Sequence, residues 1–219
     1  MDTSEKIKIG YQNKFKKYGV DAKSLYWSGK GAAHQRFRQF WAEIDFNDKK
    51  VLDVGCGFGE FGKFILKRYA NVEYTGVDIV PEFITEATKL VPRGKFMAAN
   101  YLKDPPSLLQ SFGRAGKMDG HYDVVVASGI LNSNVEGRNL EYRKEGIAKL
   151  FDLTSNVLAF NMLGAHPQPE NDNESNVWYA DTLEILEYCM TLTRRVILRA
   201  NYHSKDFTIL MYRQKGDKI

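Results

Sequence analysis

The chain is predicted to be an α/β protein built on a doubly wound, mostly parallel sheet of seven strands. Helices cover both faces, a C-terminal antiparallel hairpin closes the order, and extra helices precede the first strand. Three observations predict this. An apolar run, residues 51–54, leads straight into glycines at alternate positions, Gly55, Gly57 and Gly59, as where a strand enters a tight loop and then a helix. From residue 51 onward, short β-rich runs alternate with helical stripes, the sequence form of a parallel sheet covered on both faces. The last two runs are separated only by the polar residues 200–206, too few for a crossover helix, so they should pair antiparallel.

Taken in chain order, residues 1–48 read as a helical extension and 49–219 as the core of the same single domain. Lys6, Lys8, Lys14, Lys16 and Lys17 cluster in the first helix, while Ile7, Tyr11, Phe15 and Tyr18 mark its opposite, buried side; the lysines are its solvated face. Phe37, Phe40, Trp41 and Ile44 recur at helical spacing and are expected in the core. Between these helices lies the aromatic, glycine-rich stretch 25–31. Strands are expected at 51–54, 72–77, 95–98, 122–127, 156–161, 195–199 and 207–212. Phe61, Phe64 and Ile65 form one helical stripe and Ile147, Leu150 and Phe151 another. Asp181-Thr182-Leu183-Glu184 has capping-box spacing and should open the last helix, on which Leu186, Cys189 and Met190 share an apolar face.

With 219 residues and 43% hydrophobic content, the chain can bury one substantial core, and no linker-like stretch divides it. No run has the length of a membrane span, and the polar first residues lack a signal-peptide centre, so a cytoplasmic protein is expected. The two cysteines have no metal-ligand spacing and fit a reducing compartment. A net charge of +4 does not by itself imply nucleic acid.

The chemistry is concentrated around the glycines. Asp78 ends the second strand nineteen residues after Gly59, where a carboxylate can accept both hydroxyls of a ribose; loop and acid together indicate an adenosine-containing ligand. Residues 57–62 also satisfy G-x-G-x-x-G, the dinucleotide pattern. Asp53 inside the strand and the additional Gly55 favour S-adenosylmethionine over NAD, because an acid there can hold an ammonium group and a pyrophosphate has no use for it. Residues 51–59 resemble the first motif of the class I methyltransferases, apolar-apolar-Asp-apolar-Gly-x-Gly-x-Gly. With the C-terminal hairpin, whose last strand that family inserts beside the fifth, the resemblance extends over residues 51–213 and implies a Rossmann-like sheet.

The resemblance implies S-adenosylmethionine as cofactor and assigns its contacts. The backbone of Gly55, Cys56, Gly57, Phe58 and Gly59 faces the methionine part, with Asp53 behind it. Asp78 takes the ribose and Ile79 the adenine face. Asn100, where the family commonly has Asp, and Tyr101 follow the third strand. Ser128 and Gly129 stand in a stretch, residues 127–132, that is similar to the fourth motif of family members acting on small molecules, without the Asn/Asp-Pro-Pro-aromatic sequence of nucleic-acid amino methylation. Asp104-Pro105-Pro106-Ser107 looks like that sequence but follows the third strand, and reads as a turn into a helix. Cys189, on a helix without a neighbouring proline, does not fit a cytosine-methylating nucleophile. The family's N-terminal extensions often close over the cofactor, so Tyr26 and Trp27 belong either to a lid or to an ordinary turn with packed aromatics, and Arg36 either binds an acidic acceptor or makes a surface ion pair.

Methyl transfer from a sulfonium is a direct displacement. The protein must chiefly hold acceptor and methyl in line, and no metal is required. Where a base is needed, the candidates are His34 and His166, the latter in the polar loop 163–177; each is otherwise a solvated histidine. His121 and His203 read as surface residues. The expected function is methylation of an oxygen or nitrogen atom of a small molecule. RNA or protein methylation, a non-catalytic cofactor-binding module and an NAD-dependent dehydrogenase are the alternatives.

Overall fold

The computed structural model describes residues 2–27, 29–103, 122–172 and 175–213. Contacts divide the chain into two compact units, Met1–Asn100 and Tyr101–Ile219. The first unit begins with α1 (Thr3–Tyr18), a 3-10 turn (Ala22–Leu25) and α2 (Lys30–Trp41). There follow β1 (Lys50–Val54), α3 (Glu60–Leu66), β2 (Glu73–Asp78), α4 (Pro81–Leu90) and β3 (Lys95–Ala98). β2 lies between β1 and β3, parallel to both. Val51, Leu52, Val54, Tyr74 and Val77 are all buried, as expected of continuous apolar runs in a parallel sheet. Pro81 starts α4, where its missing N–H costs nothing.

The second unit holds β4 (Tyr122–Ser128), a 3-10 turn (Ile130–Asn132), α5 (Asn139–Asp152) and β5 (Thr154–Ala165). It continues with β6 (Ala180–Asp181), α6 (Thr182–Leu192), β7 (Val196–Arg199) and β8 (Asp206–Tyr212). β4 and β5 are parallel, whereas β8 pairs antiparallel with both β5 and β7, so the last strand lies beside the fifth. Asp181 caps α6, accepting from the N–H groups of Leu183 and Glu184.

Six of the seven expected strands fall within two residues of their expected positions, and the two-residue β6 is an addition. β5 is the main departure. It runs for 12 residues because Met162 and Leu163 continue the ladder opposite Phe207 and Asp206, and Gly164 and Ala165 then pair with β6. Residues 163–165, expected in a loop, are therefore strand.

Two residues expected on apolar faces are corrected. Trp41 is 45% exposed; its indole N–H donates to the Tyr69 hydroxyl at 3.0 Å, and only its ring edge leans on Phe64. Met190 is 54% exposed while Cys189 is buried, so the apolar face of α6 is narrower than its spacing implied. Phe37, Phe40 and Ile44 are buried as expected. On α1 the apolar side is only half-buried, and Lys14 turns its ammonium over the Tyr26 ring at 4.9 Å instead of facing water. The segment 104–107 and His121 lie outside the described residues.

Gly62 couples α3 to the sheet, because a Cβ there would stand 2.7 Å from the buried Tyr74 ring. Gly62→Ala is expected to cost about 1–3 kcal/mol by overpacking. Gly31→Ala, which faces open space, should be neutral or mildly stabilising. Urea denaturation of the two variants measures the difference.

Candidate active site

The loop that follows β1 is shaped by backbone bonds to the end of β2. The N–H groups of Gly55 and Cys56 both donate to the Val77 carbonyl, at 2.8 and 3.0 Å, and Gly59 closes a turn onto Cys56 at 2.8 Å. Gly55, Gly57 and Gly59 have φ of 73°, 53° and 76°. The requirement is twofold at Gly57: the left-handed backbone disfavours a side chain, and a Cβ would meet the Leu25 side chain at 3.0 Å.

Two buried carboxylates lie behind this loop. Asp78 accepts from the Gly57 N–H through one oxygen and from the Val80 N–H through the other, each at 2.9 Å. Burial pushes its pKa up to about 6, against those backbone bonds, which lower it. Asp53 accepts the Tyr74 hydroxyl at 2.5 Å. Burial pushes Asp53 up to about 7, the Tyr74 bond works the other way, and the charge of Asp78 raises it again. A cation brought beside either carboxyl would favour its ionised form and offset the cost of burial, so these acceptors are compatible with a ligand that carries an ammonium group. Cys56 is a buried packing residue: its sulfur lies against Gly76, and burial drives its pKa well up.

The N-terminal extension packs on this same region. Phe58 of the loop lies 4.8 Å from Phe83 and 5.9 Å from Phe15 between ring centroids. Tyr11, Leu25 and Ile79 join that cluster, and Gln12 donates to the Glu82 carboxylate at 2.9 Å. Tyr26 and Trp27 part company: Tyr26 packs edge-on against Tyr11 at 5.1 Å, whereas Trp27 leans on Phe37 at 6.3 Å. Arg36 is half-buried on α2. His34 sits between rings, 6.0 Å from Phe37 and 5.7 Å from Phe64. Asn100 is half-buried at the unit's end.

In the second unit, Ser128 ends β4 beside Asn161 of β5, 3.3 Å away, and Gly129 turns the chain with φ of 80°. Asn132 then accepts the Leu163 N–H through its side chain and the Trp178 N–H through its carbonyl, both at 2.9 Å. Ser133 bridges to Val177, and the Asn134 N–H donates to the Asn176 carbonyl, so the turn after β4 is tied down by residues 175–178. Tyr101 directs its hydroxyl at Gly146 of α5, where a Cβ would stand 2.8 Å away. His166 is exposed and holds Asp181 through Nδ1 at 3.1 Å. β5 carries it five residues past Asn161, roughly 16 Å along an extended strand.

The predicted loop residues Asp53 to Gly59, Asp78 and Ile79 thus come together, and Ser128 and Gly129 adjoin each other on the second unit. His34 and His166 lie in separate surroundings. Sequence reasoning missed Tyr74, Phe15, Leu25, Asn161 and Arg143. Phe15 carried a signal in its helical spacing; Tyr74 and Asn161 meet partners 21 and 33 positions away, and Arg143 is singled out only by its burial.

A glycine loop between strand and helix, an acid inside the first strand and another at the end of the second define an adenosine-cofactor enzyme of Rossmann-like architecture. A methyltransferase-domain family model matches residues 52–156. A Mycobacterium tuberculosis protein named as a methyltransferase is 27% identical over 165 residues, 74% of this chain and 91% of that one. A trans-aconitate 2-methyltransferase of Rhodopseudomonas palustris is 31% identical over 64 residues, 29% of this chain and 25% of that one. Among solved structures, magnesium protoporphyrin IX methyltransferase of Synechocystis with bound S-adenosylmethionine superposes with TM-score 0.65 at 15% identity, over 98% of each chain. The DhpI complex with S-adenosylhomocysteine does so with TM-score 0.64 at 13% identity, over 96% of each. These matches support a class I S-adenosylmethionine-dependent methyltransferase, with the family model spanning just under half of the chain.

Because burial raises both carboxyls in the folded chain, the folded state binds more protons than the unfolded one from the ordinary Asp range up to about pH 7. The stability of the ligand-free protein should therefore fall as pH rises through that window. Asp53→Asn should raise the melting temperature relative to wild type more at pH 8 than at pH 5. An equal difference at both would mean that Asp53 is ionised throughout.

Proposed function

We propose that the enzyme transfers the methyl group of S-adenosylmethionine to an oxygen or nitrogen atom of a small-molecule acceptor. The observation that carries this reading is the closed turn after β4, tied to residues 175–178 through the Ser133 bridge to Val177 and the Trp178 N–H bond to Asn132. Such a tied turn suits an enclosed acceptor better than an open groove for a polymer. The reading is also supported by two similar methyltransferases whose names carry magnesium protoporphyrin IX and trans-aconitate, both small molecules.

In this reading the cofactor's methionine part lies along the backbone of Gly55, Cys56, Gly57, Phe58 and Gly59. Asp53 neutralises its ammonium group, Asp78 accepts the ribose hydroxyls, and Ile79 covers the adenine, with Asn100 and Tyr101 following β3. S-adenosylmethionine supplies an electrophilic methyl on a sulfonium, and the chain's residues orient it and exclude water. Leu25, Phe15 and Tyr11 form the apolar cover of the loop, with Tyr26 beside Tyr11. Where the acceptor is a hydroxyl, His166 is better suited to take its proton than His34, since Asp181 fixes its Nδ1 and leaves Nε2 outward. His34 is packed among phenylalanine rings. In the second unit, Ser128 and Gly129 lead into the tied turn.

Asp78→Ala is expected to weaken S-adenosylmethionine by about one to two orders of magnitude, the equivalent of one or two charge-assisted hydrogen bonds. Isothermal titration of the folded variant measures this, and unchanged affinity would remove Asp78 from the ribose site. Small-metabolite fractions should stimulate formation of S-adenosylhomocysteine at physiological salt, where RNA should not. Stimulation by RNA alone would replace the small-molecule acceptor with a nucleic acid.

A further inference from the structure

We propose that Arg143 recognises the acceptor and that the acceptor is a carboxylic acid, bound by the unused edge of a buried guanidinium beneath the turn after β4. This deepens the methyltransferase reading above and rests on it. Arg143 projects from α5 and is fully buried. Its Nη1 donates to the Asn139 carbonyl and side-chain oxygens at 3.0 and 2.9 Å, and its Nη2 donates to the Ser133 carbonyl. All these acceptors are neutral, and among the described residues Nε has no hydrogen-bond partner. A guanidinium has five N–H groups. Three are used, leaving Nε–H and one Nη2 proton, the side-on pair that a carboxylate takes through both oxygens.

A strut would explain the bonds to Asn139 and Ser133, but it would not explain the charge. A neutral donor could hold those carbonyls without burying a cation that has no counter-ion among the described residues, which is costly. Burial already draws Arg143 down to about 10. A second donor lies nearby: the Tyr101 hydroxyl is buried, makes no close hydrogen bond among the described residues, sits over Gly146 one helical turn beyond Arg143, and lies within reach of the Tyr142 hydroxyl and of the guanidinium charge. The walls are aromatic, with the Trp178 ring 4.6 Å and the Tyr142 ring 5.6 Å from the guanidinium carbon. Donors without acceptors, set among rings, match a carboxylate carried on an unsaturated or aromatic body. Trp178 is only half-buried and forms the outer wall, so displacing its ring opens the arginine to solvent.

Benzoate tests this without knowledge of the acceptor. It should raise the melting temperature of the wild-type protein saturably, and its affinity by calorimetry should fall at least about tenfold in Arg143→Met and in Arg143→Lys, which keeps the charge but loses the fork. S-adenosylhomocysteine affinity, measured in parallel, should be the same in all three proteins and certifies their fold. Benzamide should bind at least about tenfold more weakly than benzoate. Absence of benzoate binding to wild type, equal binding to the variants, or equal binding of benzamide would each overturn the proposal. Tighter binding of inorganic phosphate than of benzoate would overturn the carboxylate in favour of a phosphoryl group. Failure of wild type to bind S-adenosylhomocysteine would count against the cofactor assignments instead, leaving the benzoate comparison to be read by melting temperature.

Discussion

The carboxylate of Asp78 joins the two turns on which the cofactor end of the first unit is built. One oxygen holds the Gly57 N–H in the loop after β1, and the other holds the Val80 N–H where the chain leaves β2 for α4. The bonds fix the loop in its left-handed conformation, while Gly55 and Cys56 complete the attachment through the Val77 carbonyl. With that geometry set, Phe58 is delivered against Phe83, and the aromatic side of α1 has a surface to cover. An acid at this position serves as an internal brace before it serves any ligand.

The arrangement carries an energetic tension. Asp53 and Asp78 are both buried, the charge of one raises the pKa of the other, and Tyr74 offsets only part of the desolvation. An apolar pair would fold more readily, so the two buried acids are held at a cost in stability. Arg143 repeats the pattern with opposite sign in the second unit, with neutral carbonyls as its partners. Among the described residues, the unit with the glycine loop thus carries buried Asp53 and Asp78, and the unit with the turn after β4 carries buried Arg143 together with buried Asp206.

The N-terminal extension shows how an apparent appendage becomes part of a site. Leu25 stands over Gly57, Phe15 touches both Phe58 and Phe83, and the Gln12 bond to Glu82 fastens α1 to α4. Aromatic edge contacts of this kind add modestly to the area they bury, and the apolar side of α1 stays half-buried where it makes them.

The sequence by itself determined the alternation of strands and helices, the antiparallel C-terminal hairpin, the glycine loop and the acids at 53 and 78. These follow from local rules: β-runs read by residue type and length, helices by a 3.6-residue repeat, and a glycine by the backbone shape it alone adopts cheaply. Trp41 and Met190 were misplaced because helical periodicity gives a direction but not the width of what lies opposite. Only the tertiary structure decided the extension of β5 through residue 165, since the pairing of Leu163 with Asp206 and of Gly164 with Ala180 depends on where β8 and β6 arrive. It alone brought Tyr74 to Asp53 and closed the turn after β4 over Arg143. Those contacts join residues twenty or more positions apart or depend on burial, and no local pattern records which distant side chain a folded chain will place against a buried charge.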